Sequence, residues 1–254
     1  MPFSAKMKPR FSIIIPAYNE ARLLPRLLDS IEFAAGRFGS GEVEVIVADN
    51  LSTDGTRAVA ESIGCTVVSV EKRRIAAARN GGAKAATGEI LCFIDADSAL
   101  HPDTFYKIDE AMRNDRIIAG ATGVFLERRS IGLMATYLMM LPMLWLTGMD
   151  TGVVFCRRED FEAIGGYNED LYFAEDVAFL LALKRKGRAK RQRLTRLSGA
   201  KALGSTRKFD EKGDWHYFTM LPKYIVLLAS RGMSAFLKQE NIPSLTDYWY
   251  RPRR

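Results

Sequence analysis

Two pairs of acidic residues have the types and spacing that metal-assisted or acid–base chemistry needs. Asp95 and Asp97 flank a single alanine, and paired carboxylates hold hard divalent cations such as Mg²⁺ or Mn²⁺ through oxygen. Glu175 and Asp176 are adjacent, and a carboxylate beside a bound cation can act as a general base. With 15 aspartates, one Asp-x-Asp triplet is expected by chance, so its position in the fold decides its meaning.

Each pair also has a purely structural interpretation. Asp95 and Asp97 could form a turn that leads into a helix near Ser98. Glu175 and Asp176 could be ordinary acidic residues at a helix start, where the helix dipole favours carboxylates.

The first half of the chain alternates strands and helices. Apolar runs predict four strands: Phe11–Ile15, Val43–Ala48, Cys65–Val70 and Ile90–Ile94. Helical spacing predicts helices from about Leu24, after Ser52–Thr56 and over Ile75–Ala86. This β–α alternation indicates an α/β fold with a mostly parallel sheet flanked by helices, and the wholly apolar fourth strand is predicted to be central.

Polar residues follow the carboxyl ends of three of these strands, which is where such sheets bind ligands. The first strand leads into Pro16, Ala17, Tyr18 and Glu20, the second into Asp49 and Ser52, and the fourth into Asp95, Ala96 and Asp97. We therefore predict that these residues meet in one cleft. Asp49 is predicted to accept hydrogen bonds from a base or ribose.

Arg79 is followed by Asn80, Gly81 and Gly82 inside the Ala-rich helix. Each helical glycine costs about 1 kcal/mol relative to alanine, and it permits close approach of a backbone or a ligand. Arg79 is a candidate phosphate or base contact; the alternative is a surface salt bridge.

The second half is less regular. We predict a strand over Ile117–Leu126, another over Val153–Cys156, and helices over Arg158–Ile164, Glu175–Lys186 and Trp215–Arg231. The stretch Ser130–Met149 has 20 residues without a charge, but Pro142 and two glycines make it a poor membrane span. It is interpreted as a buried or interfacial helix lining the second half of the cleft.

Composition excludes several classes of protein. The chain has 254 residues, 48% hydrophobic and 26% charged, which excludes a disordered chain and a multi-span membrane protein. Three scattered cysteines exclude a disulfide scaffold, and the N-terminus has no signal-peptide core, so a cytoplasmic location is expected. Residues 1–183 carry a net charge of −6 and residues 184–254 one of +13, which favours an anionic partner or simply a solvated basic face.

The combined motifs resemble the family-2 inverting glycosyltransferases with the GT-A fold. The resemblance covers roughly residues 11–191. It rests on Ser12–Glu20, Asp49–Thr56, Arg79–Gly82, Thr87–Asp97 and the Glu175–Asp176 pair, in that order.

The resemblance implies transfer of a sugar from a nucleotide-diphosphate donor, with a UDP-sugar favoured, to an acceptor hydroxyl with inversion. It implies that Asp97, with Asp95, ligates Mg²⁺ or Mn²⁺, and that Asp176 is the general base. The remaining donor-site residues would be Pro16, Ala17, Tyr18, Glu20, Asp49, Ser52, Arg79, Ala96, Glu175 and Arg207. Arg207-Lys208, with Gly213-Asp214-Trp215, resembles a basic loop of many bacterial relatives that would close over the donor phosphates. His216 is the only late histidine that could serve as a further metal ligand.

Two departures leave donor base and acceptor open. Asn50 stands where the family often has a second aspartate, and Val177-Ala178 follows the Glu-Asp pair where a further acidic residue is common. The uncharged Ser130–Met149 stretch and the basic C-terminal region suggest a peripheral position on the inner membrane and a lipid-linked acceptor. Nucleic acid is not expected as a partner, because the basic region lacks an aromatic stacking platform.

We predict one glycosyltransferase domain over residues 1–254. Residues 11–97 would be the nucleotide-sugar half, 98–200 the acceptor half, and 201–254 a basic helical extension. Alternatives are a nucleotidyltransferase, which would usually carry a Gly-rich loop after the first strand, and a non-catalytic sugar-nucleotide or membrane-surface binding module.

Overall fold

The computed structural model describes residues 8–39, 41–147, 151–172 and 174–218. In these residues the chain forms nine strands and eight α-helices. The strands are β1 (Phe11–Ala17), β2 (Val43–Asp49), β3 (Thr66–Ser69), β4 (Ile90–Phe93), β5 (Ile117–Ala121), β6 (Val124–Leu126), β7 (Val154–Arg157), β8 (Arg193–Arg196) and β9 (Ala202–Gly204). The helices are α1 (Leu24–Phe38), α2 (Thr56–Ser62), α3 (Ile75–Ala85), α4 (Thr104–Met112), α5 (Ile131–Thr147), α6 (Arg158–Ala163), α7 (Glu175–Gly187) and α8 (Arg207–Lys212).

Seven strands form one sheet in the order β3-β2-β1-β4-β7-β5-β8. The neighbours β3-β2, β2-β1, β1-β4 and β5-β8 are parallel, and β7 runs antiparallel to β4 and β5. The strand β4 is fully buried and is the middle strand, as predicted from its apolar run. The α/β fold with a mostly parallel sheet is confirmed.

Alternate residues of β1 supply two separate hydrophobic cores. Ile13 and Ile15 pack with α1 and α4 on one face, whereas Ile14 packs with α3, α6 and α7 on the other. Because both faces of the sheet are covered, β4 is apolar at every position and β1 carries the consecutive apolar residues Ile13, Ile14 and Ile15.

The two glycines of α3 let this helix lie close on the sheet. A Cβ added to Gly82 would lie 2.5 Å from Cγ2 of Ile14, and one added to Gly81 would lie 2.5 Å from Cγ2 of Val70. The two glycines therefore make room for side chains of the sheet and of the residue after β3, rather than for another backbone or a ligand. The helix continues through them without interruption.

The single strand predicted over Ile117–Leu126 is wrong. The chain turns at Gly123, whose φ is +77°, so that β5 stays in the large sheet while β6 pairs with β9 in a separate two-stranded sheet. Apolar residues continue through both strands, and the turn is marked only by one glycine. The helix α4 and the strands β8 and β9 were not predicted.

The uncharged stretch forms α5, whose first turns leave apolar residues in solvent. Ile131 is 82% exposed and Leu138 is 58% exposed. Among the described helices, none combines the length and the apolar character that crossing a bilayer requires. Most of the helix predicted over Trp215–Arg231, and of the basic extension over 201–254, lies outside the described residues.

Candidate functional site

An open cleft of about 690 Å³ lies at the carboxyl ends of β1 and β4. Its walls contain all seven of the residues predicted from the first and fourth strands, together with residues from α3 and α8. The lining residues are Pro16, Ala17, Tyr18, Glu20, Asn50, Arg73, Ile75, Ala78, Asp95, Ala96, Asp97 and Lys208. The predicted convergence is therefore present for the residues of the first and fourth strands, whereas the second strand contributes Asn50 rather than the predicted Asp49 and Ser52. Lys208, from the C-terminal part of the chain, also lines the cleft.

Asp95 and Asp97 are the two lining carboxylates that the sequence assigns to a cation, and the third, Glu20, is paired with Arg207. The side chain of Asp95 is 60% exposed and that of Asp97 is 21% exposed. Burial, together with the charge of Asp95, raises the pKa of Asp97, whereas Arg207 and Lys208 oppose that rise. Two crowded carboxylates of this kind gain from a divalent cation.

No group of three acidic, histidine or cysteine side chains in the described ranges could hold a metal by itself. Mg²⁺ and Mn²⁺ are commonly held by one or two carboxylates, with a substrate's phosphates and water completing the coordination. The donor set formed by Asp95 and Asp97 fits that mode, and it does not fit a closed, all-protein metal cage.

Arg79 joins the two acidic pairs. Its Nη2 donates to Asp95 over 3.1 Å, and its Nη1 donates to Asp176 over 2.6 Å and to Glu175 over 3.2 Å. The Arg79 side chain is 6% exposed, so its salt bridges are buried rather than on the surface. Arg79 is not among the lining residues of the cleft. Burial alone would lower the pKa of this guanidinium, but the charges around it, led by Asp176, raise that pKa.

Glu175 and Asp176 lie in the first turn of α7, at the positive end of its dipole. The helix starts after Ala174, a non-glycine residue with a φ of +53°, a strained conformation that tends to occur at functional sites. Burial and the charge of Asp176 raise the pKa of Glu175 to about 7, although Arg79 acts against this rise. The pair thus includes one carboxyl that takes up a proton near neutral pH.

Tyr167 forms the floor under this acidic group. Its ring stacks on Phe179 with centroids 4.0 Å apart, and the Arg79 guanidinium lies 5.1 Å from its centroid. Burial and the nearby charge of Asp176 raise the pKa of the Tyr167 hydroxyl. Asn80 holds the tyrosine backbone from both sides, with its amide donating to the carbonyl over 2.9 Å and its oxygen accepting from the N–H over 2.9 Å. No spacing signal in the sequence links Asn80 to Tyr167.

Tyr18 and Arg73 form an aromatic and cationic wall at the other end of the cleft. The Arg73 guanidinium lies 4.2 Å from the centroid of the Tyr18 ring, within the range of cation–π attraction. Arg73 was not predicted as a site residue. It lies in a run of charged residues, and no sequence pattern distinguishes it from its neighbour Arg74.

The side chains of Asp49 and Ser52 accept hydrogen bonds from backbone N–H groups of the loops after β2 and β1. Ser52 N donates to the Asp49 carboxylate over 3.2 Å, and Asn19 N donates to the Ser52 hydroxyl over 3.0 Å. The amide of Asn50 donates to the carbonyls of Val70 and Lys72. Asp49 and Ser52 thus shape the loop beside the cleft but are not among its lining residues.

Arg207, which was predicted in a basic loop, is the first residue of the helix α8 and lies beside the cleft. It donates to Glu20 and to Asp97, and the neighbouring Lys208 lines the cleft. Burial lowers the pKa of Lys208 to about 8, although Asp95 and Asp97 act to raise it.

His216 packs among aromatic rings and is not a lining residue of the cleft. Its centroid is 5.0 Å from that of Phe209 and 4.3 Å from that of Tyr217. Its Nδ1 lies 2.7 Å from the carbonyl of Gly213. This environment gives no support to a metal-ligating role.

Comparison with known proteins places the sequence in a family. The model of glycosyl transferase family 2 matches residues 12–164, more than half of the chain. The validoxylamine A glucosyltransferase of Streptomyces hygroscopicus subsp. jinggangensis is 39% identical over 108 residues, 40% of this chain and 25% of that protein. The glycosyltransferase AglE of Haloferax volcanii is 33% identical over 99 residues, 37% of this chain and 32% of that protein. The matched stretch therefore spans a third or less of these relatives.

Solved structures share the fold. The mannosyltransferase PcManGT from Pyrobaculum calidifontis, in complex with GDP-Man and Mn²⁺, has a TM-score of 0.63 at 22% identity, over 80% of this chain and 60% of that one. TarS 1–349 of Staphylococcus aureus has a TM-score of 0.61 at 20% identity, over 86% and 65%. The glucosyl-3-phosphoglycerate synthase of Mycobacterium tuberculosis, in complex with Mn²⁺, UDP and glucosyl-3-phosphoglycerate, has a TM-score of 0.55 at 21% identity, over 85% and 79%.

Proposed function

The chain belongs to glycosyl transferase family 2 and has the GT-A fold, and from this premise we propose that it transfers a sugar from a nucleotide-diphosphate donor to an acceptor hydroxyl with inversion. The observation that carries the proposal is the junction made by Arg79. This buried guanidinium connects Asp95, in the predicted metal and diphosphate site, with Asp176, the predicted base. In the proposal, Arg79 thus holds the carboxylate for the attacking hydroxyl next to the place of the leaving group.

The donor would lie along the cleft from Tyr18 to Asp97. In this arrangement the Tyr18–Arg73 wall stacks on the nucleoside, and Lys208 and Arg207 face the diphosphate. A divalent cation held by Asp97 and Asp95 would neutralise the charge that develops on the leaving diphosphate.

Asp176 would accept the proton of the acceptor hydroxyl. As that oxygen bonds to the anomeric carbon from the side opposite the leaving group, the bond from this carbon to the diphosphate oxygen breaks, and the configuration inverts. Arg79 donates to Oδ1 of Asp176 and fixes the carboxylate, whose side chain is 27% exposed and therefore accessible. General-base catalysis of this type is typically worth about 10²–10⁴-fold.

A UDP-sugar is our first choice of donor. Support comes from TarS and the mycobacterial synthase, both solved with UDP, whereas PcManGT was solved with GDP-Man. The sequence departure at Asn50 leaves guanosine as the alternative, since this residue lines the cleft beside Tyr18.

A membrane surface and a lipid-linked acceptor complete the proposal. Support comes from the exposed apolar side chains of Ile131, Met134 and Leu138 at the start of α5, and from Trp215, which is 52% exposed. Asp214, the residue before Trp215, packs on Gly132 of α5: a Cβ added to Gly132 would lie 2.7 Å from the Cβ of Asp214. Trp215 therefore lies near the start of α5. Such a patch suits peripheral binding, which sedimentation with anionic and zwitterionic vesicles tests.

Thermal unfolding with UDP, GDP and dTDP and their sugars, each with Mn²⁺ or with chelator, tests the donor site. A ligand at 100 times its dissociation constant adds about 2.7 kcal/mol of stability. We expect a shift for one nucleoside, largest with Mn²⁺. The absence of a shift in the unfolding temperature with every nucleotide would instead favour the alternative of a non-catalytic membrane-surface binding module.

Asp176→Asn tests the base. The variant keeps the shape and one hydrogen-bond acceptor, so we expect it to bind the donor as the wild type does and to lose about 10²–10⁴-fold in turnover. Asp170→Asn is the matched control, because Asp170 is an exposed residue of the preceding loop. Full activity in the Asp176 variant would disprove the assignment.

A further inference from the structure

Arg207 holds two acidic residues of the cleft that are far apart in the sequence. Its Nη1 donates to Oε2 of Glu20 over 2.9 Å, and its Nη2 donates to Oε1 of Glu20 over 3.0 Å. The same Nη2 donates to Oδ2 of Asp97 over 3.1 Å. Arg207 therefore makes a two-bond pair with Glu20 and a single bond with Asp97.

The two partners differ in burial. The side chain of Glu20 is 5% exposed, whereas those of Arg207 and Asp97 are each 21% exposed. A bidentate pair with a buried carboxylate is the stronger and geometrically more specific attachment. The bond to Asp97 is the one that can break while Arg207 stays in place.

The hydrogen count of the guanidinium supports this asymmetry. Nη2 carries two hydrogens, of which one points to Glu20 and the other to Asp97. When Asp97 turns to another partner, the second hydrogen is free to bind an oxygen anion in the cleft. Glu20 has no comparable freedom, because both of its oxygens are engaged by Arg207.

A short ordered segment presents Arg207 to this place. Arg207 is the first residue of α8, and the side chain of Asp210 accepts from the hydroxyl of the preceding Thr206 over 3.2 Å. Arg128 pairs with Asp210 and Asp214 on either side of the end of α8, which ties the helix to the residues before α5. The side chain of Arg207 can therefore change partner without a movement of the helix.

We propose that Arg207 competes with the divalent cation for Asp97, and that Glu20 is the positioning residue that keeps Arg207 beside the cleft after the exchange. When a cation takes Asp97, the freed N–H of Arg207 is directed to the donor's diphosphate. The proposal rests on the proposed function, since it assumes that Asp97 binds the cation. It assigns Glu20 to Arg207 rather than to the donor.

The deciding measurement is the affinity for Mn²⁺ in the absence of nucleotide. The electron paramagnetic resonance signal of free Mn²⁺ reports how much of the ion is bound. In Arg207→Gln the competitor is removed, so we expect Mn²⁺ to bind about three- to fivefold more tightly, the size of a partly exposed ion pair. In Glu20→Gln the guanidinium loses its second partner and stays on Asp97, so Mn²⁺ binding is expected to weaken. A purely structural role for the cluster predicts no such opposite pair of changes.

UDP and UMP provide a second readout. With saturating Mn²⁺, Arg207→Gln is expected to weaken UDP binding by about tenfold, the value of a charge-assisted hydrogen bond, and to change UMP binding much less. Lys212→Gln is the matched control, because it removes one positive charge from the exposed far end of the same helix. It should alter neither Mn²⁺ nor UDP binding.

Unchanged or weaker Mn²⁺ binding by Arg207→Gln would overturn the competition, as would the absence of Mn²⁺ binding from both this variant and the wild type. Binding by the variant alone would support it. The proposed function fails on a different result, namely the absence of nucleotide binding with or without Mn²⁺. The two failures are therefore distinguishable.

Discussion

Replacing Glu175 by glutamine should change how the stability of the protein depends on pH. Burial and the charge of Asp176 raise the pKa of Glu175 from 4.5 to about 7. A raised pKa in a carboxyl means that the folded state holds the proton more tightly than the unfolded state. Its stabilising contribution is therefore fully present below pH 4.5 and is lost as the pH rises to 7.

The magnitude follows from the size of this shift. One pKa unit corresponds to about 1.4 kcal/mol, so the wild type should lose on the order of 2–3 kcal/mol through this group between pH 5 and pH 8. Glutamine has no proton to lose. The substitution also removes the carboxylate that faces Arg79, which changes the free energy of unfolding mainly at high pH, where Glu175 of the wild type is charged. Arg79 keeps its shorter bond to Asp176 in the variant.

Urea unfolding at pH 5, 6, 7 and 8, in chelator and without nucleotide, gives the test. The free energy of unfolding of Glu175→Gln minus that of the wild type should increase by about 2–3 kcal/mol from pH 5 to pH 8. Glu110→Gln, at a side chain that is 71% exposed on α4, is the control and should show no increase. A difference that stays level within about 1 kcal/mol for Glu175→Gln would refute the reasoning.

Three further substitutions, one of them a control, test how the site is supported. Gly82→Ala should destabilise the protein by about 1–2 kcal/mol, because its Cβ would meet Ile14 at 2.5 Å and overpacking outweighs the helical gain. Gly36→Ala in α1, where a Cβ would meet open space, should instead stabilise the protein by about 0.5–1 kcal/mol. Thermal unfolding measures both glycine variants, and a change of stability in the same direction for the two would contradict this account. Asn80→Ala leaves the buried backbone N–H and carbonyl of Tyr167 without their partner and should cost about 2–4 kcal/mol in urea unfolding; a loss under about 1 kcal/mol would show that these bonds are replaced.

Local patterns predicted the first half of the fold well. The apolar runs of β1, β2 and β4 identify strands buried on both faces, and alternation with helices implies parallel pairing. Since the carboxyl ends of parallel strands share an edge, Tyr18, Asp95 and Asp97 were expected in one cleft, and the structure places them there. The division into donor half, acceptor half and basic extension stays a prediction.

Short elements and reversals were missed for a physical reason. The strands β8 and β9 have four and three residues, and they are stabilised by pairing with distant strands rather than by their own sequence. The break between β5 and β6 depends on one glycine with a positive φ, and the apolar pattern continues across it. Periodicity carries no information about such contacts.

The sequence by itself determined which residue types the site contains and which strand ends carry them. Only the tertiary structure decided their partners: Arg79 among three carboxylates, and Arg207 between Glu20 and Asp97, with 187 and 110 residues separating it from these partners. The reason is that strand order follows from chain connectivity and local pattern, whereas an ion pair forms wherever folding brings opposite charges together away from water. Many other arginines could have met these acids, and no local pattern distinguishes those that did.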